Sequence, residues 1–181
     1  MANWTIDKAH TEIGFKIKHL VISTVSGKFT SFGGKLEGDP EDFKNAKISF
    51  IADTDSIHTG NEQRDGHLKS ADFFDSAQYP KIVFNSAKIE QTDENLYRVT
   101  GDLTIKNVTK QIALNVEFGG LQNNFYGQAV AGFEINGKIN RQDFGLTWSA
   151  VTEAGGIVVS DEVRLAINVE LVKEAVAAAV A

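Results

Sequence analysis

Apolar and polar residues alternate with a period of two through most of the chain. In Ile13-Gly14-Phe15-Lys16-Ile17-Lys18-His19 the odd positions are Ile, Phe, Ile and His, and the even ones Gly, Lys and Lys. Such a run is a strand with one apolar face and one wet face. Tyr97, Val99, Gly101, Leu103 and Ile105 alternate with polar neighbours, as do Ile112, Leu114, Val116 and Phe118. The odd positions from Phe125 to Ile139 and from Val163 to Leu171 repeat the pattern, and weaker strands are predicted over Lys28–Glu37, Ala46–Asp53 and Lys81–Ile89.

Turn signals separate these runs: Gly33-Gly34, Gly38-Asp39-Pro40, Asp93-Glu94-Asn95, Lys106-Asn107, Gly119-Gly120 with Asn123-Asn124, and Gly155-Gly156. Short links force antiparallel neighbours, because a parallel pair needs a long crossover. About eight such strands make an all-β sandwich or a closed up-and-down barrel. One interval, Asn61 to Asp75, lacks period two. It is predicted as a short helical insertion near residues 60–75, with Ser70 capping a second helical turn. One domain over residues 1–173 is expected, followed by an Ala-rich tail over 174–181. That tail has high helix propensity and is too short to be stable alone, so it frays, docks or pairs with a second copy.

Composition narrows the class. A chain of 181 residues fits one domain. A net charge of −6 argues against a nucleic-acid partner, which needs a basic stripe. The absence of Cys removes disulfides, thiolate nucleophiles and Cys-based metal sites. No apolar run is long enough to span a membrane as a helix. The N-terminus shows no basic region followed by an apolar one, so a cytoplasmic protein is expected, or a periplasmic or secreted one in its mature form. The aromatic content is lopsided: 12 Phe against 3 Tyr and 2 Trp, large apolar rings without a polar handle.

Candidate chemistry is sparse. There is no Gly-x-Ser-x-Gly, no Gly-x-Gly-x-x-Gly and no phosphate-binding Walker sequence. His10, His19, His58 and His67 have no standard ligand spacing, so neither a metal nor a cofactor is expected, and His10, His58 and His67 read as holders of local hydrogen bonds. His19 and Arg141 each end an apolar stripe. His19 reads either as a solvated strand end or as a polar group at the mouth of an apolar interior. Arg141 needs a partner if buried, either a carboxylate such as Glu153 or Asp143 or the acceptor group of a ligand. The Arg64, Asp65 and His67 cluster reads as a capping network rather than an active site. An eight-stranded barrel is wide enough to be filled by side chains or to hold one small ligand. The mixed inner list of Phe15, Phe29, Phe50, Phe84 and Phe133 beside Gly27, Gly101, Gly127, Ala129 and Ala131 leaves both outcomes open.

Several segments resemble the YceI-like family. They are Trp4-Thr5-Ile6-Asp7 with His10-Thr11, Phe15 to His19, Gly27-Lys28-Phe29, and the block Arg64-Asp65-Gly66-His67-Leu68-Lys69-Ser70-Ala71-Asp72-Phe73-Phe74-Asp75. Tyr79-Pro80, Gly101 to Ile105 and Arg141-Gln142-Asp143-Phe144-Gly145 complete the match, over about residues 4–171. The resemblance implies a lipocalin-like antiparallel barrel with an internal cavity for a polyisoprenoid or other long-chain amphiphile, such as a prenyl quinone, a prenyl phosphate or a fatty-acid derivative. The candidate ligand-binding residues are Phe15, Ile17, His19, Phe29, Phe50, Phe73, Phe84, Leu103, Phe133, Ile135, Arg141, Phe144 and Trp148. Family members are often periplasmic or secreted. Two other readings stand beside lipid binding: an enzyme using His19, His67 or Arg141 on a hydrophobic substrate, and a stress-responsive module with a packed barrel that dimerises through its tail.

Overall fold

The period-two runs become strands of a single antiparallel sheet that closes on itself. In the computed structural model, which describes residues 1–150 and 158–176, the strands are β1 (Asn3–Ile6), β2 (Glu12–His19), β3 (Ser23–Phe29), β4 (Phe32–Glu37), β5 (Lys47–Asp53), β6 (Ile57–His58), β7 (Lys81–Asp93), β8 (Leu96–Ile105), β9 (Val108–Asn123), β10 (Ala129–Asn140) and β11 (Val159–Lys173). Hydrogen bonding runs β1–β4–β5–β7–β8–β9–β10–β11 and returns to β1, which gives a closed eight-stranded barrel. The strand pair β2 and β3 extends it: β1 lies along β11 at Leu171–Lys173 and β2 along β11 at Val159–Asn168. Pairing of β1 with both β4 and β11 closes the barrel, while the outer edge of β3 is paired only at Lys28 and Phe29, by β6.

The first strand steps out between β1 and β2 for a local reason. Asp7 caps a short 3-10 turn by accepting the N–H of Ala9 at 3.0 Å, while its own N–H donates to the Glu170 carbonyl. Thr11 re-engages β11 through its hydroxyl, which accepts from the Glu170 N–H at 3.1 Å. The expected strand over Lys28–Glu37 is likewise two strands. Thr30 donates its N–H to Ser56, and the Asp53 N–H donates to Ser31, so the chain bends between β3 and β4.

Two bulges shift the inward parity. Gly120 pairs with Gly132 and Phe118 with Phe133, so Gly119 is an extra residue in β9, and inward positions change from Leu114 and Val116 to Leu121. Ala87 is the corresponding extra residue in β7, where inward positions pass from Ile82 and Phe84 to Ile89. Phe125 is not a strand residue. Asn124 accepts the N–H groups of Tyr126 and Gln128 at 2.9 and 3.0 Å, and this side-chain turn overrides the alternation. Phe125 and Tyr126 therefore stand on an exposed tip, and Gly127, with φ of +74°, is a turn residue rather than part of the wall.

The polar interval folds as helix α1 (Glu62–Lys69), capped by the Asn61 side chain on the Arg64 N–H at 2.9 Å. Ser70 ends this helix, its N–H and hydroxyl both donating to the His67 carbonyl, and also opens the next turn, its hydroxyl accepting from the Asp72 N–H at 3.4 Å and its carbonyl from the Phe73 N–H at 3.0 Å. The chain continues in hydrogen-bonded turns that bury Phe73 and Phe74. At the other end of the barrel, a 3-10 segment over Pro40–Asn45 inserts Phe43, which is 2% exposed, against Tyr97 and Phe133 with ring centroids 4.9 and 5.0 Å away. Burying such a ring contributes about 1.5–3 kcal/mol, so each end has an apolar anchor. The Gly155-Gly156 turn, Glu153 and the tail from residue 177 lie outside the described residues. Among the described residues no helix is long and apolar enough to cross a membrane.

Candidate ligand cavity

Inside the barrel lies a cavity of about 440 Å³, within the range of roughly 300–1,000 Å³ common for small-molecule sites. Phe15, Phe29, Phe43, Phe50, Phe73, Phe74, Phe84 and Phe133 line it, eight of the twelve phenylalanines. Leucine, isoleucine and valine from β2, β8, β9, β10 and β11 form much of the remaining wall, and Gly34, Lys35 and Ser49 of β4 and β5 also border it. The floor is Phe43 with Leu36 and Leu171 at the 3-10 end. Near the rim stand Lys18, His19, Thr59, Arg64, His67, Arg141 and Trp148.

The glycines on the inner face do not simply leave room. A Cβ on Gly27 would meet Phe15 Cζ at 2.4 Å, and one on Gly101 would meet Phe84 Cζ and the Asn85 carbonyl oxygen at 2.5 Å each. Each glycine leaves the space that a neighbouring ring occupies against the sheet. That packing lets the rings line an open space instead of filling it. Small residues face large ones, as in a packed barrel, but the interior is not filled and a cavity remains.

The candidates Phe15, Ile17, His19, Phe29, Phe50, Phe73, Phe84, Leu103, Phe133, Ile135, Arg141 and Trp148 all border this cavity. Phe144 does not. The strand ends at Asn140, whose side chain caps a 3-10 turn over Arg141–Phe144, and Phe144 is carried into the packed core at 1% exposure. In a 3-10 turn residues three apart share a face, so the parity of β10 no longer predicts directions there.

Arg141 is 2% exposed and fully occupied by the protein itself. Its Nη1 donates to the carbonyls of Leu146 and Trp148 at 2.6 and 2.7 Å, its Nε to Ser160 at 2.9 Å and its Nη2 to Val159 at 3.4 Å. Asp161, rather than Asp143, is its carboxylate, at 3.4 Å. Burial lowers its pKa, and Asp161 opposes that shift. Arg141 therefore ties the segment after β10 to the start of β11 and fixes Trp148 at the rim.

The Arg64–His67 cluster divides by role. Asp65 is buried and accepts the N–H and hydroxyl of Thr59 at 2.9 and 2.5 Å, while Arg64 donates to the Thr59 hydroxyl and carbonyl at 2.7 and 2.8 Å. These bonds fasten α1 to the end of β6. His67 Nε2 lies 2.8 Å from the Asp72 carboxylate, and its ring stands edge-on to Trp148 and Phe73 at 4.8 and 5.1 Å. His10 bonds Asp7 at 2.9 Å, and His58 lies 3.7 Å from Asp65, so these three histidines hold local contacts. His19 is half-buried, paired in register with Val159 and Ser23. Among the described residues no aspartate or glutamate lines the cavity, although the chain as a whole is acidic.

Sequence periodicity missed Phe43 and Phe74, which lie in turns. For Phe43 the available signal was Asp39-Pro40, where Asp39 caps the 3-10 segment by accepting the Glu41 N–H at 2.9 Å.

Residues 4–171 match the family description "YceI-like domain". A UPF0312 protein of Staphylococcus aureus is 38% identical over 171 residues, covering 94% of this chain and 97% of that one. The crystal structure of a Campylobacter jejuni YceI protein superposes with a TM-score of 0.75 at 40% identity, over 94% of this chain and 97% of that one. Burkholderia cenocepacia BcnA shares the fold with a TM-score of 0.79 at 24% identity, over 91% and 98%. A polyisoprenoid-binding domain from Saccharophagus degradans shares it with a TM-score of 0.65 at 16% identity, over 94% and 98%. A match running from Trp4 to Leu171 takes in the strands, α1 and the turns that enclose the cavity, and the chain belongs to the YceI-like family.

Proposed function

We propose that this protein binds a long-chain amphiphile, with the chain inside the barrel and the head group at the rim near Lys18, His19, Arg64 and His67. The observation that carries this reading is the cavity itself: about 440 Å³ enclosed by aromatic and aliphatic side chains, with no acidic residue on the wall among the described residues. Each methylene moved from water into such a wall contributes roughly 0.8 kcal/mol, so chain length alone supplies affinity. The rim offers donors and cations where a polar head would stop. Polyisoprenoid is the cargo class favoured, in line with the printed description of the Saccharophagus degradans domain that shares the fold. The role is binding without a chemical step, serving transport or storage of the cargo.

A homologous series of prenyl alcohols tests the reading. Affinity measured by calorimetry is expected to rise with each added isoprene unit until the cavity is full, then to level off. Affinity independent of chain length would overturn it.

A further inference from the structure

The turn between β2 and β3 carries the wrong residues for its geometry. The Ile22 N–H donates to the His19 carbonyl at 3.3 Å, and the two central residues have left-handed backbones, Leu20 with φ of +52° and Val21 with +65°. That is a type I′ turn, which favours Asn and Gly because a Cβ is crowded there, and a β-branched residue in this region is an outlier. The turn between β8 and β9 has the same shape, with Lys106 at +50° and Asn107 at +67°, and uses conventional polar chemistry. Nothing among the described residues repays the cost at the first turn by burial: Leu20, Val21 and Ile22 are 38%, 71% and 84% exposed.

The position of this turn identifies what would bury it. His19 and Lys18, which lead into it, both line the cavity rim, and the Leu20 N–H donates to the carbonyl of Val158, which borders the same cavity. Three aliphatic side chains on one turn form a patch far below the roughly 1,000 Å² that a stable protein interface needs. They do suit shallow insertion into lipid, which takes up single apolar side chains one by one. Lys18 beside the tip supplies a cation for anionic headgroups. The second exposed tip, Phe125 and Tyr126, sits on the β9–β10 turn at the Phe43-closed end, and its Asn124 and Gly127 meet the needs of that turn.

We infer that the Leu20–Val21–Ile22 turn inserts into an anionic bilayer surface and sets the rim of the cavity against the lipid. The inference rests on the lipid-binding reading only for its purpose, since docking is measurable whether or not the barrel is loaded.

Flotation of the full chain with vesicles of equal parts phosphatidylcholine and phosphatidylglycerol tests it. The wild type is expected to float. Replacing Leu20→Asn together with Val21→Gly restores suitable turn chemistry, so the variant should unfold at an equal or higher temperature. It should nonetheless lose flotation by about tenfold or more. A Phe125→Ser, Tyr126→Ser variant should float like the wild type. The inference is overturned if the wild type stays in solution, if the turn variant floats undiminished, or if the Phe125 variant is the one that fails. It also falls if the turn variant instead dissolves a dimer and vesicles recruit neither protein. Cargo extracted from the same preparations reports separately on the cavity: a loaded protein that ignores vesicles rejects docking and leaves the binding reading intact.

Discussion

Gly27 faces Phe15 across the β2–β3 ladder with no room for a methyl group between them. The obstacle is the far end of a ring that can swing toward the cavity, together with the Thr59 methyl. At Gly101 the obstacle includes the Asn85 carbonyl, which is backbone and cannot move aside. Overpacking typically costs about 1–3 kcal/mol. Gly27→Ala should therefore fall at the low end of that range and weaken prenyl-alcohol binding as Phe15 intrudes, whereas Gly101→Ala should fall at the high end. Urea denaturation with parallel ligand titration measures both.

Arg141 is a clamp. Removing its side chain strands the buried carbonyl of Leu146 and the partly buried one of Trp148, and an unsatisfied buried group costs about 1–3 kcal/mol. Arg141→Met should lower unfolding free energy by roughly 3 kcal/mol. Arg141→Lys should recover little of it, because a single ammonium lacks the planar fork that reaches several acceptors. If Arg141→Lys unfolds like the wild type, the clamp account fails.

Stability should depend on pH through the Asp7–His10 pair. The hydrogen bond to Asp7 raises the pKa of His10, and the bond from His10 lowers that of Asp7. The His10 contribution is complete below its ordinary value of about 6.5 and fades as pH rises through the raised one. The Asp7 contribution is complete above about 3.9 and is lost as pH falls through the lowered one. His10→Gln should lower the melting temperature only on the acidic side of the raised value, converging with the wild type at alkaline pH. Both side chains are accessible to solvent, so salt should shrink the difference. A pH-independent gap between the two melting curves would reject the pairing.

Filling the cavity should separate folding from binding. Ile17 borders the empty space and is only half-buried. Ile17→Trp can therefore place its ring in the void without displacing packed neighbours. The variant should melt within a few degrees of the wild type and bind prenyl alcohols at least about tenfold more weakly, the equivalent of about 1.4 kcal/mol.

Strand identity and the inner face of β8 were legible because Tyr97 to Ile105 alternate without interruption. At two places where the sequence misled, a local hydrogen bond outbid the alternation. Asn124 turned Phe125 out of its strand, and Asn140 started the 3-10 turn that buried Phe144. Thr30 and Ser31 split one strand into two. The bulges at Ala87 and Gly119 shifted parity silently, since an extra residue leaves no mark in composition. At the site, the apolar wall could be read from parity, but the partners of Arg141 could not. Four are backbone carbonyls, which any residue supplies, and the fifth is Asp161, brought close only by the register of β10 with β11.

The proposed function requires that the barrel hold a long-chain amphiphile. Mass spectrometry of an organic extract of the purified protein decides this, with the Ile17→Trp variant prepared in parallel. One dominant long-chain species in near-stoichiometric amount is expected from the wild type, and its depletion from the variant. An extract empty of such a species in repeated preparations, from a protein that also fails to take up added prenyl alcohol, would contradict it.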